Sequence, residues 1–366
     1  MSTLAEKKNK LSPDMGFYDW KEYVDESYLD LVTTNPIDII KYPIGFLNEA
    51  LTGISRSELV LIGADTGIGK TELANSIAFH NAKMGKRVYL FSLEGDKYEV
   101  VNRERYKRYV AMVMLTNKDK QSHERFVKIV PYKQFILNDF NFKVDIPLEI
   151  LELDKLMSLE YKNLKIYSRE DDLNIKTFCT HLEMISDDAD LVIIDHLHYF
   201  DFLSNNEHAE ITEIMKKIKK LQNKLRIPIV IVSHLRKKQN DRIFPDNNDF
   251  HGSSNIPKQA DTCIILSHIG TDDEDYENQI SRGVYKTGMR ITKSRTGMSQ
   301  RIIGVVDYNL FERRYSDNYE LYICLPHDVK PLDRDKYPKW AKKPEDVTKF
   351  SKQNSKNVRD SQGGMF

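Results

Sequence analysis

Residues 59–71 read Leu59-Val60-Leu61-Ile62-Gly63-Ala64-Asp65-Thr66-Gly67-Ile68-Gly69-Lys70-Thr71, and this stretch decides the fold. Its apolar run predicts a buried strand, and Gly67 and Gly69 permit a turn whose backbone N–H groups face inward. Such a turn holds the phosphates of a nucleoside triphosphate, with Lys70 reaching the β and γ phosphates and the Thr71 hydroxyl ligating Mg²⁺. The stretch therefore predicts a phosphate loop over residues 64–71 that binds a nucleoside triphosphate.

The loop departs from the strict pattern at one position. A glycine is usual five residues before Gly69, and this chain has Ala64 there. The departure is mild because Ala is small and the strand and helix on either side of the loop are both predicted. A helix over residues 72–84 would direct its positive N-terminal end at the phosphates.

Composition narrows the classes of protein that the chain can belong to. Its 366 residues include 55 Lys and Arg and 55 Asp and Glu, so overall charge indicates no polyanionic partner. Three scattered cysteines, Cys179, Cys263 and Cys324, exclude a disulfide framework and a cysteine-based zinc site. The first ten residues lack a signal sequence, and no apolar run approaches the roughly 20 residues needed to cross a bilayer. We expect a cytoplasmic protein, in the host cytoplasm if a phage encodes it, without a membrane partner.

The rest of the chain alternates strand-like and helix-like segments. Strands are predicted at residues 59–62, 87–92, 191–195, 229–233, 262–267, 288–293 and 301–307. Helices are predicted between the earlier strands, notably at 72–84 and 210–225. This alternation predicts an α/β fold with a mostly parallel central sheet flanked by helices.

Composition also sets the predicted domain limits. The main domain is assigned to residues 43–326, with an insertion of helices and loops at about 102–187, where Lys and Tyr are frequent. Residues 1–42 are assigned to a polar tail with a possible linker helix at 18–33. Residues 327–366, rich in Pro, Lys, Asn and Ser, are predicted to be a flexible tail.

Polar residues end three of the predicted strands at the edge that carries the loop. Asp195 is predicted to hold Mg²⁺ through water beside Thr71, and Glu94 to orient and deprotonate the water that attacks the γ-phosphate. His234 follows a third strand. Its context alone is equally consistent with a contact to the γ-phosphate and with a structural imidazole. Two other histidines, His251 and His268, are assigned to structural or solvent-facing positions.

These motifs occur in the order found in a known superfamily. The chain resembles the RecA-like ATPase domain of ring-shaped replicative DNA helicases, the DnaB-like and Twinkle-like superfamily, including its phage-type members. The resemblance begins at GFLNEALTG (45–53) and includes the loop, FSLE (91–94), VIID (192–195) and SHLRK (233–237). It covers about residues 43–310, with a poor match in the insertion. It implies a P-loop NTPase core with ATP and Mg²⁺, and catalytic roles for Lys70, Glu94 and His234.

Two further motifs separate helicases from other RecA-like ATPases. HGSSNIPKQAD (251–261) resembles the family's Gly-Ser and Gln-Ala-Asp motif near the DNA channel, and ITKSRTG (291–297) resembles its Lys-x-Arg-x-Gly hairpin. By this resemblance, Lys293 and Arg295 would reach the nucleotide of a neighbouring subunit and stabilise charge in the transition state. Their spacing alone favours a solvated strand face.

The same resemblance places single-stranded DNA between the His234 strand and the Gln-Ala-Asp motif. The candidate contacts supply positive charge or hydrogen-bond donors, and they are Arg236, Lys237, Lys238, Arg242, Gly252, Ser253, Asn255 and Lys258. Such donors suit a phosphate backbone, so we expect salt-sensitive binding without sequence preference. An ordinary polar loop is the alternative.

The leading hypothesis is a hexameric, ATP-driven helicase of DNA replication that translocates on single-stranded DNA, with a primase or a polymerase as a further partner in trans. A recombinase or KaiC-like ATPase is one alternative, and it would form filaments on DNA. A helicase loader or regulatory ATPase that unwinds nothing is another. The sequence shows no primase domain and no full DnaB-type N-terminal collar, which keeps this last alternative open.

Overall fold

The computed structural model describes residues 39–95, 97–116, 129–137, 146–168, 173–202, 206–236, 244–252, 255–270, 275, 277–279, 283–295, 301–325 and 328–341. The elements below lie in the unit that begins at Ile40. The predicted helix at 18–33 lies outside the described residues, as do Lys237, Lys238, Arg242 and Ser253. None of the described helices combines the length and the apolar character needed to span a bilayer.

One sheet contains ten strands in the described residues. They are β1 (Leu59–Ala64), β2 (Val88–Ser92), β3 (Leu164–Ser168), β4 (Leu191–Asp195), β5 (Ile229–His234), β6 (Thr262–His268), β7 (Val284–Ser294), β8 (Ile302–Asn309), β9 (Arg314–Leu325) and β10 (Asp328–Pro331). Their order across the sheet is β10-β9-β8-β7-β6-β1-β5-β4-β2-β3. Strands from β6 through β1 to β3 pair in parallel, and those from β6 to β10 pair antiparallel.

Helices connect the parallel strands. The α-helices of the described residues are α1 (Gly45–Leu51), α2 (Lys70–Lys83), α3 (Lys97–Thr116), α4 (Tyr132–Ile136), α5 (Ile146–Glu160), α6 (Ile175–Met184), α7 (Glu207–Leu225) and α8 (Ile256–Gln259). Parallel strands joined through helices are the arrangement that the alternating sequence predicts, so the α/β class is confirmed.

Each face of the sheet packs against its own apolar core. Val60 and Ile62 of β1 contribute to the core that contains α1 and α2, whereas Leu59 and Leu61 contribute to the core that contains α6 and α7. Successive side chains of a strand point to opposite faces, so both sets are buried and all of β1 is inaccessible. This two-sided burial explains why β1 reads as a continuous apolar run.

The segment predicted as an insertion of helices and loops also contains a strand. β3 pairs in parallel with β2 and forms one edge of the sheet. Nearby, α3 and α4 form a small separate core with Tyr106, Tyr109 and Phe135. The sequence of β3, LKIYS, gives no clear strand signal because its side chains are only partly buried and one of them is Lys165.

The sheet continues beyond the predicted domain boundary at residue 326. β10 pairs antiparallel with β9, and Trp340 packs on Phe46 with ring centroids 6.1 Å apart. The prediction of a flexible tail therefore needs correction for residues 328–341. Their polar composition resembles a linker, but a few apolar residues are enough to anchor the segment on the core. Residues 342–366 lie outside the described part.

Gly63 permits a close crossing above β1. A Cβ at this position would lie 2.6 Å from the Phe250 ring and 3.0 Å from the Leu235 side chain. Because Phe250 is fully buried, its ring has little room to move aside. We expect Gly63→Ala to lower the free energy of unfolding by about 1–3 kcal/mol, measured by urea denaturation with an unchanged m-value.

The control for this prediction is the double variant Gly63→Ala/Phe250→Leu. A smaller side chain at position 250 makes room for the added methyl group. The double variant should therefore lose less free energy of unfolding than the sum of the losses in the two single variants. If the loss in the double variant equalled the sum of the two single losses, the Phe250 ring would not be the group that excludes a side chain at position 63.

Candidate nucleotide-binding site

The phosphate loop joins the C-terminal end of β1 to α2. Gly67 and Gly69 have φ angles of 84° and 99°, which glycine adopts without the strain that a Cβ would cause. The helix begins at Lys70, two residues earlier than predicted. Its first turn has backbone N–H groups without helical partners, which is the feature that binds phosphate at a helix N-terminus.

A buried tyrosine of β9 supports the loop from behind. The Tyr315 hydroxyl donates to the carbonyl oxygen of Gly69 at 3.1 Å and lies 3.4 Å from that of Ile68. A side chain at position 69 would collide with this hydroxyl. Tyr315 is 246 residues from Gly69 along the chain, and no motif in the sequence marks it.

Asp195 and Glu94 lie beside the loop, where the sequence predicts them. Asp195 accepts a hydrogen bond of 3.3 Å from the Thr71 hydroxyl, and both acids line a cavity of about 130 Å³ with Thr71. Burial, together with the charge of Glu94, raises the pKa of Asp195 to about 7. The buried Asp195 carboxylate needs a nearby cation to ionise readily. The hydroxyl oxygen of Thr71 and the carboxylate oxygens of Asp195 are ligands of the type that Mg²⁺ prefers. The residues therefore fit the predicted ion.

Lys70 places its charge among these acids. Its side chain is buried, and burial lowers the pKa of Lys70 while the charges of Glu94, Asp195 and Asp65 act in the opposite direction. The ammonium thus remains close to the two carboxylates that flank the predicted metal position. This arrangement agrees with the predicted contact between Lys70 and the terminal phosphates.

His196 is a site residue to which the sequence analysis gives no role. It directly follows Asp195, it is buried, and its Nε2 atom pairs with the Glu94 carboxylate. Burial, with smaller effects of Lys70 and His234, lowers the pKa of His196 to about 3, so its neutral ring donates an N–H. Its φ of 82° is uncommon outside glycine. The histidine therefore positions Glu94. In the sequence, only its place directly after Asp195, the predicted Mg²⁺ residue, points to such a role.

A second residue without a predicted role comes from α3. The Arg103 side chain lines the cavity that holds Glu94 and Asp195, and its guanidinium donates to Glu99. Its positive charge opposes the rise in the pKa of Asp195, which burial and the charge of Glu94 cause. Arg103 lies in the predicted insertion, where no recognised motif directed attention to it.

His234 occupies the end of β5, with Ala64 as its partner on β1. Its ring centroid lies 4.5 Å from that of His196, and it borders an open cleft of about 670 Å³ with Asp65 and Thr66. Burial and the charge of Lys70 lower the pKa of His234 to about 4, which keeps the ring neutral. This position suits the predicted γ-phosphate contact, which stays a prediction.

Lys293 and Arg295 lie at the other end of the parallel strands. Ser294 pairs with Thr262, and Thr262 pairs with Val60, four residues before Ala64. At about 3.3 Å per residue, the hairpin is roughly 13 Å from the loop along the strand. Neither side chain can therefore reach phosphates held by its own loop.

The two basic residues differ in their surroundings. The Lys293 ammonium donates to the carbonyl oxygens at the end of α8, those of Pro257, Lys258 and Ala260, at 2.9, 3.1 and 2.6 Å. The Arg295 side chain is 69% exposed and contacts Asp261 through Nε at 2.9 Å. Arg295 is thus the better placed of the two to reach a neighbouring molecule.

The described candidates for DNA binding fall into two places. Arg236 borders the cleft beside His234, and Gly252, with φ 94°, packs on Ile211. Asn255 and Lys258 lie at α8, where Lys258 donates to the Asn255 side chain at 2.9 Å. The second pair is therefore next to Lys293 and not in the cleft.

The chain is similar to bacterial replicative helicases over most of its length. The Replicative DNA helicase DnaB of Geobacillus stearothermophilus is 23% identical over 316 residues, 82% of this chain and 64% of that protein. DnaB of Helicobacter pylori is 26% identical over 272 residues, 69% of this chain and 49% of that protein. The chain thus spans about half to two thirds of the length of these relatives.

Solved structures show the same fold. One solved ATPase domain has a TM-score of 0.60 at 19% identity, covering 82% of this chain and 99% of that chain. A DnaB-like replicative helicase, described with its interactions with primase, has a TM-score of 0.58 at 19% identity, covering 79% and 65%. The predicted RecA-like fold is therefore confirmed.

The family model described as the DnaB-like helicase C-terminal domain matches residues 41–310. That match includes the loop, both acids, His234 and the hairpin with Lys293 and Arg295. It covers well over half of the chain, and the chain belongs to the family of DnaB-like helicase C-terminal domains.

Proposed function

We propose that this chain is the ATP-hydrolysing motor of a replicative-type DNA helicase, which works as a hexameric ring on single-stranded DNA. The observation that carries this proposal is the division of catalytic groups between opposite ends of the parallel strands. Thr71, Glu94 and Asp195 line one cavity at the loop, and the charge of Lys70 interacts with both acids. Arg295 lies at the far end and is largely exposed. A site completed by Arg295 requires a second subunit.

The residues near the loop have distinct tasks in this proposal. The loop N–H groups and Lys70 hold the phosphates, and Glu94, positioned by His196, takes the proton of the attacking water. Mg²⁺, held by Thr71 and Asp195, would neutralise charge on the phosphate oxygens. An arginine from the neighbouring subunit stabilises the charge that develops in the transition state.

DNA contacts are proposed for the cleft and for α8. Arg236, Gly252, Asn255 and Lys258 offer donors for phosphates without any evident code for bases. The replicative roles of the named relatives support a place in DNA replication in the cytoplasm, with a primase or a polymerase as a further partner in trans. These partners belong to the proposal, because the chain spans only part of the length of those relatives.

The decisive experiment is ATP hydrolysis by the full chain with and without single-stranded DNA. We expect the rate to rise several-fold on addition of single strands, equally for two unrelated sequences. The apparent DNA affinity should fall steeply between about 50 and 200 mM salt. Blunt duplex of the same length is the control. Turnover that is indifferent to single strands at every salt concentration would overturn the motor proposal.

Two further readouts separate the alternatives. Particle images with an ATP analogue and a single strand should show rings, whereas filaments would favour a recombinase-like ATPase. Strand separation on a forked duplex should accompany hydrolysis. Hydrolysis without strand separation, together with binding to a separate helicase, would favour a loader or regulatory ATPase.

A further inference from the structure

Three side chains with metal-binding atoms converge in the described residues beside the nucleotide site. They are His198 in the turn that follows β4, Glu207 at the start of α7 and His251 just before Gly252. Nδ1 of His198 lies 3.5 Å, and Nδ1 of His251 lies 3.9 Å, from Oε1 of Glu207. All three ligand atoms lie within 4.8 Å of one another. They border the cleft that also contains Asp65 and Thr66.

The contact between His198 and Ser233 is compatible with a tautomer that leaves Nδ1 of His198 able to bind a cation. Nε2 of His198 lies 3.2 Å from Oγ of Ser233, and this hydroxyl donates to the carbonyl oxygen of His234 at 3.5 Å. In the tautomer in which Nε2 of His198 carries the N–H and donates to Ser233, the lone pair lies on Nδ1, on the side of Glu207. Metal-binding histidines in proteins are typically held by such a hydrogen bond from their other nitrogen.

In this tautomer, Nδ1 of His198 and the Glu207 carboxylate are both acceptors. Nδ1 of His198 is buried and has no well-formed hydrogen bond within the described part of the chain, and the nearest atom of Glu207 is a carboxylate oxygen. Two acceptors at this distance repel each other unless a cation or a proton lies between them. A metal ion would satisfy both atoms and the His251 nitrogen as well.

The ligand types select the class of metal. Two imidazole nitrogens and one carboxylate oxygen suit Zn²⁺ and similar transition metals, whereas Mg²⁺ and Ca²⁺ favour oxygen ligands. Bonds of about 2.0–2.1 Å in a tetrahedral site place ligand atoms about 3.3 Å apart. The pair formed by His198 and Glu207 is already near this distance. His251 is 48% exposed and can approach the remaining position.

We propose that His198, Glu207 and His251 form a binding site for a zinc-type divalent cation, with its fourth position open to the cleft. The site is separate from the predicted Mg²⁺ position at Thr71 and Asp195. It links α7 and residue 251 to Ser233, which precedes His234 in β5. Bound metal would therefore fix the wall of the cleft beside the phosphate loop.

Cobalt provides a spectroscopic test, because four-coordinate Co²⁺ absorbs visible light more strongly than hydrated Co²⁺. The metal-free full chain would be titrated with Co²⁺ in the presence of excess Mg²⁺, which occupies oxygen sites. We expect one equivalent to bind with a visible band, and Zn²⁺ to displace it. Glu207→Gln and His251→Ala should each weaken binding at least tenfold. Both side chains are nearly half exposed, so these variants should fold, which circular dichroism checks.

The matched control is His208→Ala. His208 is an exposed histidine next to Glu207 on α7, and it is not part of the cluster, so this variant should bind Co²⁺ as the wild type does. Absence of a visible band in the wild type would overturn the proposal. Unchanged affinity in Glu207→Gln and His251→Ala would do the same, because it would place the metal elsewhere.

Discussion

Lys70→Ala is expected to reduce ATP turnover by the full chain by about 10²–10³-fold or more, which is the usual cost of removing a group that stabilises transition-state charge. Lys70 is buried at the start of α2, and its charge lies among Glu94, Asp195 and Asp65. Without this cation the terminal phosphates would face the carboxylates directly. The measurement is kcat with saturating single-stranded DNA.

The control lies on the same helix. Lys83, the last residue of α2, is more than half exposed and pairs with Glu160 at 3.2 Å, and a surface ion pair of this kind contributes little. Lys83→Ala should therefore keep nearly full turnover. Near wild-type kcat in Lys70→Ala, with the loop folded, would mean that the loop does not hold the hydrolysed phosphate.

The sequence predicts which residues lie at the sheet edge beside the phosphate loop, because its signals are local. β1 and β4 are buried on both faces, so each reads as a continuous apolar run that ends next to a functional residue. The positions of Lys70, Thr71 and Asp195 then follow from the rule that parallel strands present their carboxyl ends at one edge. Glu94 follows in the same way from β2.

The missed parts of the site depend on contacts between distant segments. The support of Gly69 by Tyr315 spans 246 residues, and Arg103 reaches the cavity from a helix without a recognised motif. The contact between His196 and Glu94 joins two different strand ends. No periodicity within a segment encodes such pairs, so only the fold reveals them.

Two residues of the hairpin motif that look alike in the sequence have different surroundings in the fold. Lys293 and Arg295 alternate on one strand and look equivalent in sequence, yet the Lys293 ammonium contacts three carbonyl oxygens of its own chain. Arg295 extends from the end of β7 with most of its side chain exposed. The fold thus separates a residue suited to hold α8 from one suited to act on a neighbour.

Arg295→Ala is expected to leave ATP-analogue binding nearly intact while kcat falls by about 10³-fold or more, the usual contribution of an arginine supplied across an interface. The residue lies roughly 13 Å along the strands from its own phosphate loop, so the loss should not alter binding by that loop. Asp261 keeps its ion pair with Lys219 at 2.5 Å, which preserves the local structure. Arg301→Ala, at an exposed arginine just before β8, is the matched control and should retain turnover.

Mixed oligomers test the assignment in trans directly. A ring assembled from Arg295→Ala and Lys70→Ala subunits contains some interfaces where an intact Lys70 meets an intact Arg295 of the neighbour. These interfaces should hydrolyse ATP, so the mixture should exceed the activity of either variant alone. If mixing restores nothing although the rings assemble, or if Arg295→Ala loses ATP affinity as strongly as turnover, Arg295 acts within its own chain. Another residue would then have to supply the second positive charge at the phosphates. Arg103 lines the cavity with Glu94 and Asp195, so it would be the next residue to substitute.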